Sequence, residues 1–161
     1  MSFQQGQKSS HPDLFKAIHD NQETKSYTSR LVAEKDFKNG EVIVQLTGVT
    51  PGVAKTYTSV QFSPTTHVEL NSDLVYLNHS CDPTTYLDVT DKALVALKDI
   101  KKGDDLTFFY PSTEWEMSQP FDCWCGAEKC VGKVAGAKNL PVDVLRLYKL
   151  SPHIIQLKSE Q

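Results

Sequence analysis

The chain has 161 residues, 39% hydrophobic and 23% charged, which suits one compact domain with its own apolar core. Its formal net charge is −3, so it lacks the basic excess that phosphate binding draws on, and direct nucleic-acid binding is not expected. A mildly acidic surface suits a basic peptide partner instead, and no apolar run approaches the roughly 18 residues of a membrane span.

Met1 to His11 is rich in Gln, Ser and Lys without an apolar run, and is expected to be a flexible tail, not a signal peptide. Short apolar runs between turn residues then predict many short strands. Leu14 to Ile18 and Tyr27 to Ala33 form the first expected pair. Glu41 to Leu46 follows the tight-turn dipeptide Asn39-Gly40 and is closed by Thr47-Gly48 and Pro51-Gly52. Thr85 to Val89 and Ala93 to Leu97 flank Thr90-Asp91-Lys92 as a hairpin, and Lys101-Lys102-Gly103 turns into a strand over Asp105 to Tyr110. Helix is scarce. Val142 to Leu150 places Val144, Leu145 and Tyr148 on one face behind Pro141, and a shorter turn is expected at Thr113 to Met117.

Every cysteine can be placed in one metal site. Cys123, Cys125 and Cys130 stand as C-x-C-x4-C, and Cys81 lies upstream in Asn78-His79-Ser80-Cys81-Asp82-Pro83. Four thiolates satisfy a closed, structural Zn²⁺ site and leave no coordination position for a reacting water. With no secretory signal, disulfides are the weaker use of these residues, and a reducing compartment is expected, nucleus or cytoplasm. The residues alone thus describe a mainly β protein with a small helix and a zinc-bound C-terminal lobe.

Three segments together resemble the SET domain, the fold of protein lysine methyltransferases: Ala33 to Ile43 (AEKDFKNGEVI), Asn78 to Pro83 (NHSCDP) and Gly103 to Tyr110 (GDDLTFFY). The C-x-C-x4-C resembles the post-SET module, whose zinc takes its fourth cysteine from the NHSC motif. The resemblance implies a tail over 1–11, a SET domain over 12–118 and a post-SET zinc region with a C-terminal helix over 119–161. The implied fold is a β-clip of small curved sheets with a pseudoknot, bringing the NHSC segment beside the late tyrosine.

The implied activity is methyl transfer from S-adenosylmethionine to a lysine amine of a protein or peptide, histone or otherwise. On this resemblance Tyr110 orients the methyl group and amine. Asn78 and His79, with Arg30 and Tyr76, contact the cofactor, and Phe108 and Phe109 line the lysine channel. Trp115, Trp124 and Tyr148 are further aromatic candidates for that channel, and His67, Glu69 and Glu114 are polar candidates. The chain also departs from the family pattern. Thr28-Ser29-Arg30 stands where a Gly-x-Gly is usual, adding Cβ atoms where backbone approaches the cofactor. Val75, Thr84 and Phe109 replace residues that are usually polar. Two alternatives stay open: a catalytically silent SET-like module that binds a protein or peptide, and a SET enzyme acting on a small-molecule amine.

Overall fold

The computed structural model describes residues 9–19 and 29–161. The expected tail lies mostly outside them, but its last residues are anchored: Ser10 N–H donates to Asp73 Oδ2, and Asp73 N–H donates to Ser10 Oγ. In chain order, β1 (Phe15–His19) and β2 (Ser29–Ala33) form the first antiparallel pair; Tyr27 and Thr28 lie outside the described residues. β3 (Val42–Gln45) is followed by β4 (Thr50–Val53), β5 (Ser59–Gln61) and β6 (His67–Glu69). Then come β7 (Asn78–His79), β8 (Thr85–Asp88), β9 (Ala93–Ala96) and β10 (Asp105–Phe108). β11 (Phe121–Asp122), β12 (Lys133–Val134), α1 (Val142–Leu145) and α2 (Pro152–Glu160) follow among the described residues.

The strands make small sheets ordered β1-β2-β10-β7, β3-β9-β8, β4-β6-β5 and β11-β12. The mainly β architecture is as expected, and the hairpin β8–β9 forms as predicted. Asp88 Oδ1 accepts Thr90 N–H and Asp91 N–H, and Lys92 takes the left-handed conformation that closes the turn. No described helix is long and apolar enough to cross a membrane.

Three expectations are corrected. The helix predicted over Val142 to Leu150 is α-helical only to Leu145; Leu147 and Tyr148 then bond three residues back, to Val144 and Leu145. The longest described helix is instead α2, opening on Ser151 with Pro152 in its first turn, where a missing N–H costs nothing. The turn expected at Thr113 to Met117 comes earlier, as a 3₁₀ turn over Tyr110–Ser112, so Tyr110 stands just past the end of β10 instead of on it.

Two apolar cores result. Phe15, Leu31, Leu74, Leu87, Leu94, Leu106 and Phe108 belong to the larger one. Cys81, Phe109, Ala137, Leu145 and Ile154 form the smaller. Neighbouring residues along an extended chain point to opposite sides, which puts Phe108 in one core and Phe109 in the other.

The segment between them is a junction. A chain leaving a turn exposes carbonyls that need donors. Here Ser112 O accepts Ser151 N–H at 2.9 Å, Glu114 O accepts Ala137 N–H at 2.9 Å and Trp115 O accepts Lys138 N–H at 3.1 Å. Thr113 O accepts His153 Nε2–H at 2.7 Å. Gly136 makes this closeness possible: a Cβ there would lie 2.3 Å from Trp115 O, on a backbone at φ +117°.

The same segment holds the β4-β6-β5 sheet through a buried polar pair. Glu114 Oε2 accepts Gln61 N–H at 2.9 Å and the Thr113 hydroxyl at 2.7 Å, while Gln61 Oε1 accepts Trp115 N–H at 2.9 Å. Burial pushes the Glu114 carboxyl up to about 7, against the pull of those two donors and of Lys55. The folded chain therefore keeps a proton that the unfolded chain releases near the ordinary value of 4.5. Stability from this group is full below that value and is lost as pH rises towards 7. The loss amounts to about 3 kcal/mol at most. Melting curves of Glu114→Gln and the parent are expected to diverge between pH 5 and 8, the parent losing ground with rising pH. Parallel curves would refute the assignment.

Candidate functional site

Parallel pairing of β7 with β10 sets Asn78 opposite Thr107 and His79 opposite Phe108, and Ser80 N–H extends the ladder to Phe108 O. A parallel neighbour needs a long crossover, and the hairpin β8–β9 lies within it. The two motif segments, well separated in sequence, thereby come side by side.

Tyr110 lies at their meeting point. Its hydroxyl donates to Leu77 O, which precedes Asn78. Its backbone N–H donates to His79 Nδ1 at 3.1 Å. Burial, and then the nearby Glu114 carboxylate, hold the phenol above its usual range. Tyr110 therefore stays neutral, with its proton committed and its oxygen lone pairs available. The rings of His79, Phe108 and Phe121 surround it at centroid distances of 5.3, 4.8 and 6.0 Å.

Asn78 is exposed on β7, and its amide nitrogen donates to Ser29 O at 2.8 Å, stitching β7 to β2. Among the described residues no donor takes its amide oxygen. Arg30, on β2, pairs with Asp105 at 2.7 Å. Tyr76 ends the 3₁₀ turn before β7 and meets His19 edge-on at 4.8 Å. Phe108 is buried in the larger core. Phe109 is buried in the smaller, stacked face to face on Tyr148 at 3.6 Å and 3°. Phe109 and Tyr148 therefore brace the lobe that carries the cysteines, and the Tyr148 hydroxyl donates to Cys81 O at 2.6 Å. Trp124 is 91% exposed, between two of the cysteines. His67 and Glu69 lie on β6, in the sheet that Glu114 secures.

The four cysteines converge. The Sγ atoms of Cys81, Cys123, Cys125 and Cys130 all lie within 4.8 Å of one another, and Cys81 and Cys123 are 3.9 Å apart. A tetrahedral zinc with Zn–S bonds of about 2.3 Å separates its sulfurs by about 3.8 Å, so the donor set fits. Burial pushes the Cys81 thiol up and the Cys123 thiol to about 11. Holding both as thiolates therefore calls for a cation between them. Val131 N–H and Cys125 N–H point at Cys81 Sγ and Cys123 Sγ, at 3.3 and 3.4 Å, and soften the charge of the cluster. The hairpin β11–β12 brackets the loop that carries three of the four cysteines.

A family model described as the SET domain matches residues 29–111. The chain belongs to the SET-domain methyltransferase family. A protein of Aspergillus flavus named Methyltransferase flvH is 41% identical over 150 residues, 92% of this chain and 83% of that relative. A histone-lysine N-methyltransferase of Chaetomium globosum, H3 lysine-36 specific, is 28% identical over 116 residues, 68% of this chain but only 13% of its own length. Among solved structures, the methyltransferase domain of human histone-lysine N-methyltransferase SETMAR aligns with a TM-score of 0.54 at 16% identity, covering 76% of this chain and 58% of that one. KRYPTONITE in complex with mCHG DNA and SAH aligns with a TM-score of 0.55 at 16% identity, covering 74% and 28%. These structures share the SET fold with this chain.

The sequence pointed to Tyr110, Asn78, His79 and the four cysteines, and the fold gathers them in one region. Gln61 was missed: a lone glutamine in a three-residue strand carries no signal of a buried hydrogen-bond role. Phe121 was missed too, because its place beside Tyr110 depends on how the C-terminal hairpin docks.

Proposed function

We propose that the chain is an S-adenosylmethionine-dependent N-methyltransferase whose acceptor is a lysine amine of a protein or peptide. The observation that carries this reading is Tyr110 anchored on Leu77 O beside the Asn78–His79 strand, within the motif pattern of the family. S-adenosylmethionine supplies an electrophilic methyl group on a sulfonium. The acceptor must arrive as the neutral amine, because a protonated lysine has no lone pair. A neutral phenol whose hydrogen is held by Leu77 O cannot serve as general base. It offers a fixed oxygen dipole, so Tyr110 contributes orientation and electrostatics, and the amine sheds its proton to solvent. The Asn78 amide oxygen suits the ammonium of the donor's amino acid end. A carboxylate approaching Arg30 would compete with Asp105. The cysteine cluster serves assembly, holding zinc as a structural ion.

Calorimetric titration with S-adenosylmethionine and S-adenosylhomocysteine is the test. Binding in the micromolar range is expected, and Asn78→Ala is expected to weaken it at least about tenfold, the worth of a hydrogen bond to a charged group. Absence of heat and of any thermal shift at millimolar cofactor would leave a peptide-binding module as the better reading.

A second reading is a small-molecule amine as acceptor. The relative that matches nearly the whole of both chains is named only a methyltransferase, whereas the histone enzyme matches over a small part of its length. Methyl transfer to small amines with none to a panel of lysine peptides would establish it.

A further inference from the structure

His79 uses both of its ring nitrogens. Tyr110 N–H can only donate, so Nδ1, 3.1 Å away, carries the lone pair. A neutral ring then holds its hydrogen on Nε2, which lies 3.3 Å from Cys81 Sγ and donates to it. Neither nitrogen remains for a bound molecule. The ring is wedged among Phe109, Tyr110 and Phe121 at centroid distances of 5.4, 5.3 and 5.9 Å, which fixes its plane. Pairing of β7 with β10 fixes its Cα opposite Phe108.

We propose that His79 is a positioning residue: a single imidazole ties the backbone of Tyr110 to the thiolate of Cys81, so the metal knot sets where the tyrosine stands. Rotation of the ring to favour either bond would break the other, so the two ends report on each other. The cysteine cluster thereby does more than close the C-terminal lobe. It fixes the register of the chain at the residue that orients the transferred methyl group. This role rests on the reading of Tyr110 as the catalytic group, whereas the bridge itself rests only on the two hydrogen bonds.

Two half-mimics separate the ends. His79→Asn keeps an acceptor near the Nδ1 position and loses the donor to Cys81. His79→Gln keeps a donor near the Nε2 position and loses the acceptor for Tyr110. Three quantities are read on the zinc-loaded 161-residue chain: zinc retention against a competing chelator, hydrogen exchange at the Tyr110 amide, and turnover.

His79→Asn is expected to lower zinc affinity by about tenfold while the Tyr110 amide stays protected. His79→Gln is expected to retain zinc like the parent, while the Tyr110 amide exchanges about tenfold faster. Turnover of the Gln variant should fall further than that of the Asn variant. The proposal is overturned if both variants lose zinc and amide protection together, or if neither changes either. A parent without turnover on any amine, with the crossed pattern intact, would remove the methyl-transfer reading and support the bridge.

Discussion

Replacing Tyr110 by Phe is expected to lower methyl transfer by about 100-fold, the usual worth of one positioned hydroxyl at a developing charge. Donor affinity should hold, because Asn78 and the backbone of β7 are untouched. The fold pays little: Leu77 O loses one donor, a cost of about 1–2 kcal/mol. In a chain of this size that lowers the melting temperature by about 3–6 °C. Initial rates with the best acceptor, set beside calorimetric melting of both proteins, make the comparison. A Phe variant that turns over like the parent would remove Tyr110 from the chemistry. Because burial and Glu114 keep the phenol protonated, the parent's rate should rise with pH towards the acceptor amine's own ionisation.

Removing the proposed zinc is expected to have the largest effect on stability. Cys81 is fully buried in the smaller core, with Phe109, Leu145 and Ile154 as members of the same cluster. Taking the ion away leaves four sulfurs that must reprotonate or repel, and structural zinc contributes on the order of 10 kcal/mol to small metal-bound folds. Chelation, or Cys125→Ser, should therefore lower the melting temperature by at least about 10 °C. It should also unpin the C-terminal lobe, read as loss of the near-ultraviolet signal from the Phe109–Tyr148 stack. A zinc-free preparation that melts with the loaded protein would show that the cysteines hold no structural ion.

What the sequence made legible was what depends on short-range chemistry. Asn39-Gly40, the Thr90-Asp91-Lys92 turn and the C-x-C-x4-C loop each carry their geometry within a few residues. The meeting of Asn78 with Tyr110 was legible only through the family pattern, since parallel pairing over a long crossover leaves no local trace. The error in the C-terminal helix has a tertiary cause. Val142 to Leu150 has helical spacing, yet Tyr148 is drawn to Phe109 and Cys81 O, and the chain tightens after Leu145. The true helix opens with Ser151-Pro152, a start signal that its sparse apolar residues obscured. Residues 59–61 and 67–69 are too short for alternation to show.

The four carbonyls from Ser112 to Trp115 also impose an order of events on folding. Their donors come from Ala137, Lys138, Ser151 and His153, all later in the chain. During synthesis the stretch just after Tyr110 must stay solvated until the chain has emerged as far as His153. The region beside the tyrosine therefore becomes rigid only after that later segment is available. Long-range closures of this kind carry the loop entropy of every residue between them, so they come late and slowly. The C-terminal lobe acts as the closing clasp of the molecule, and an interrupted chain would present its site segment to water with its hydrogen bonds unmade.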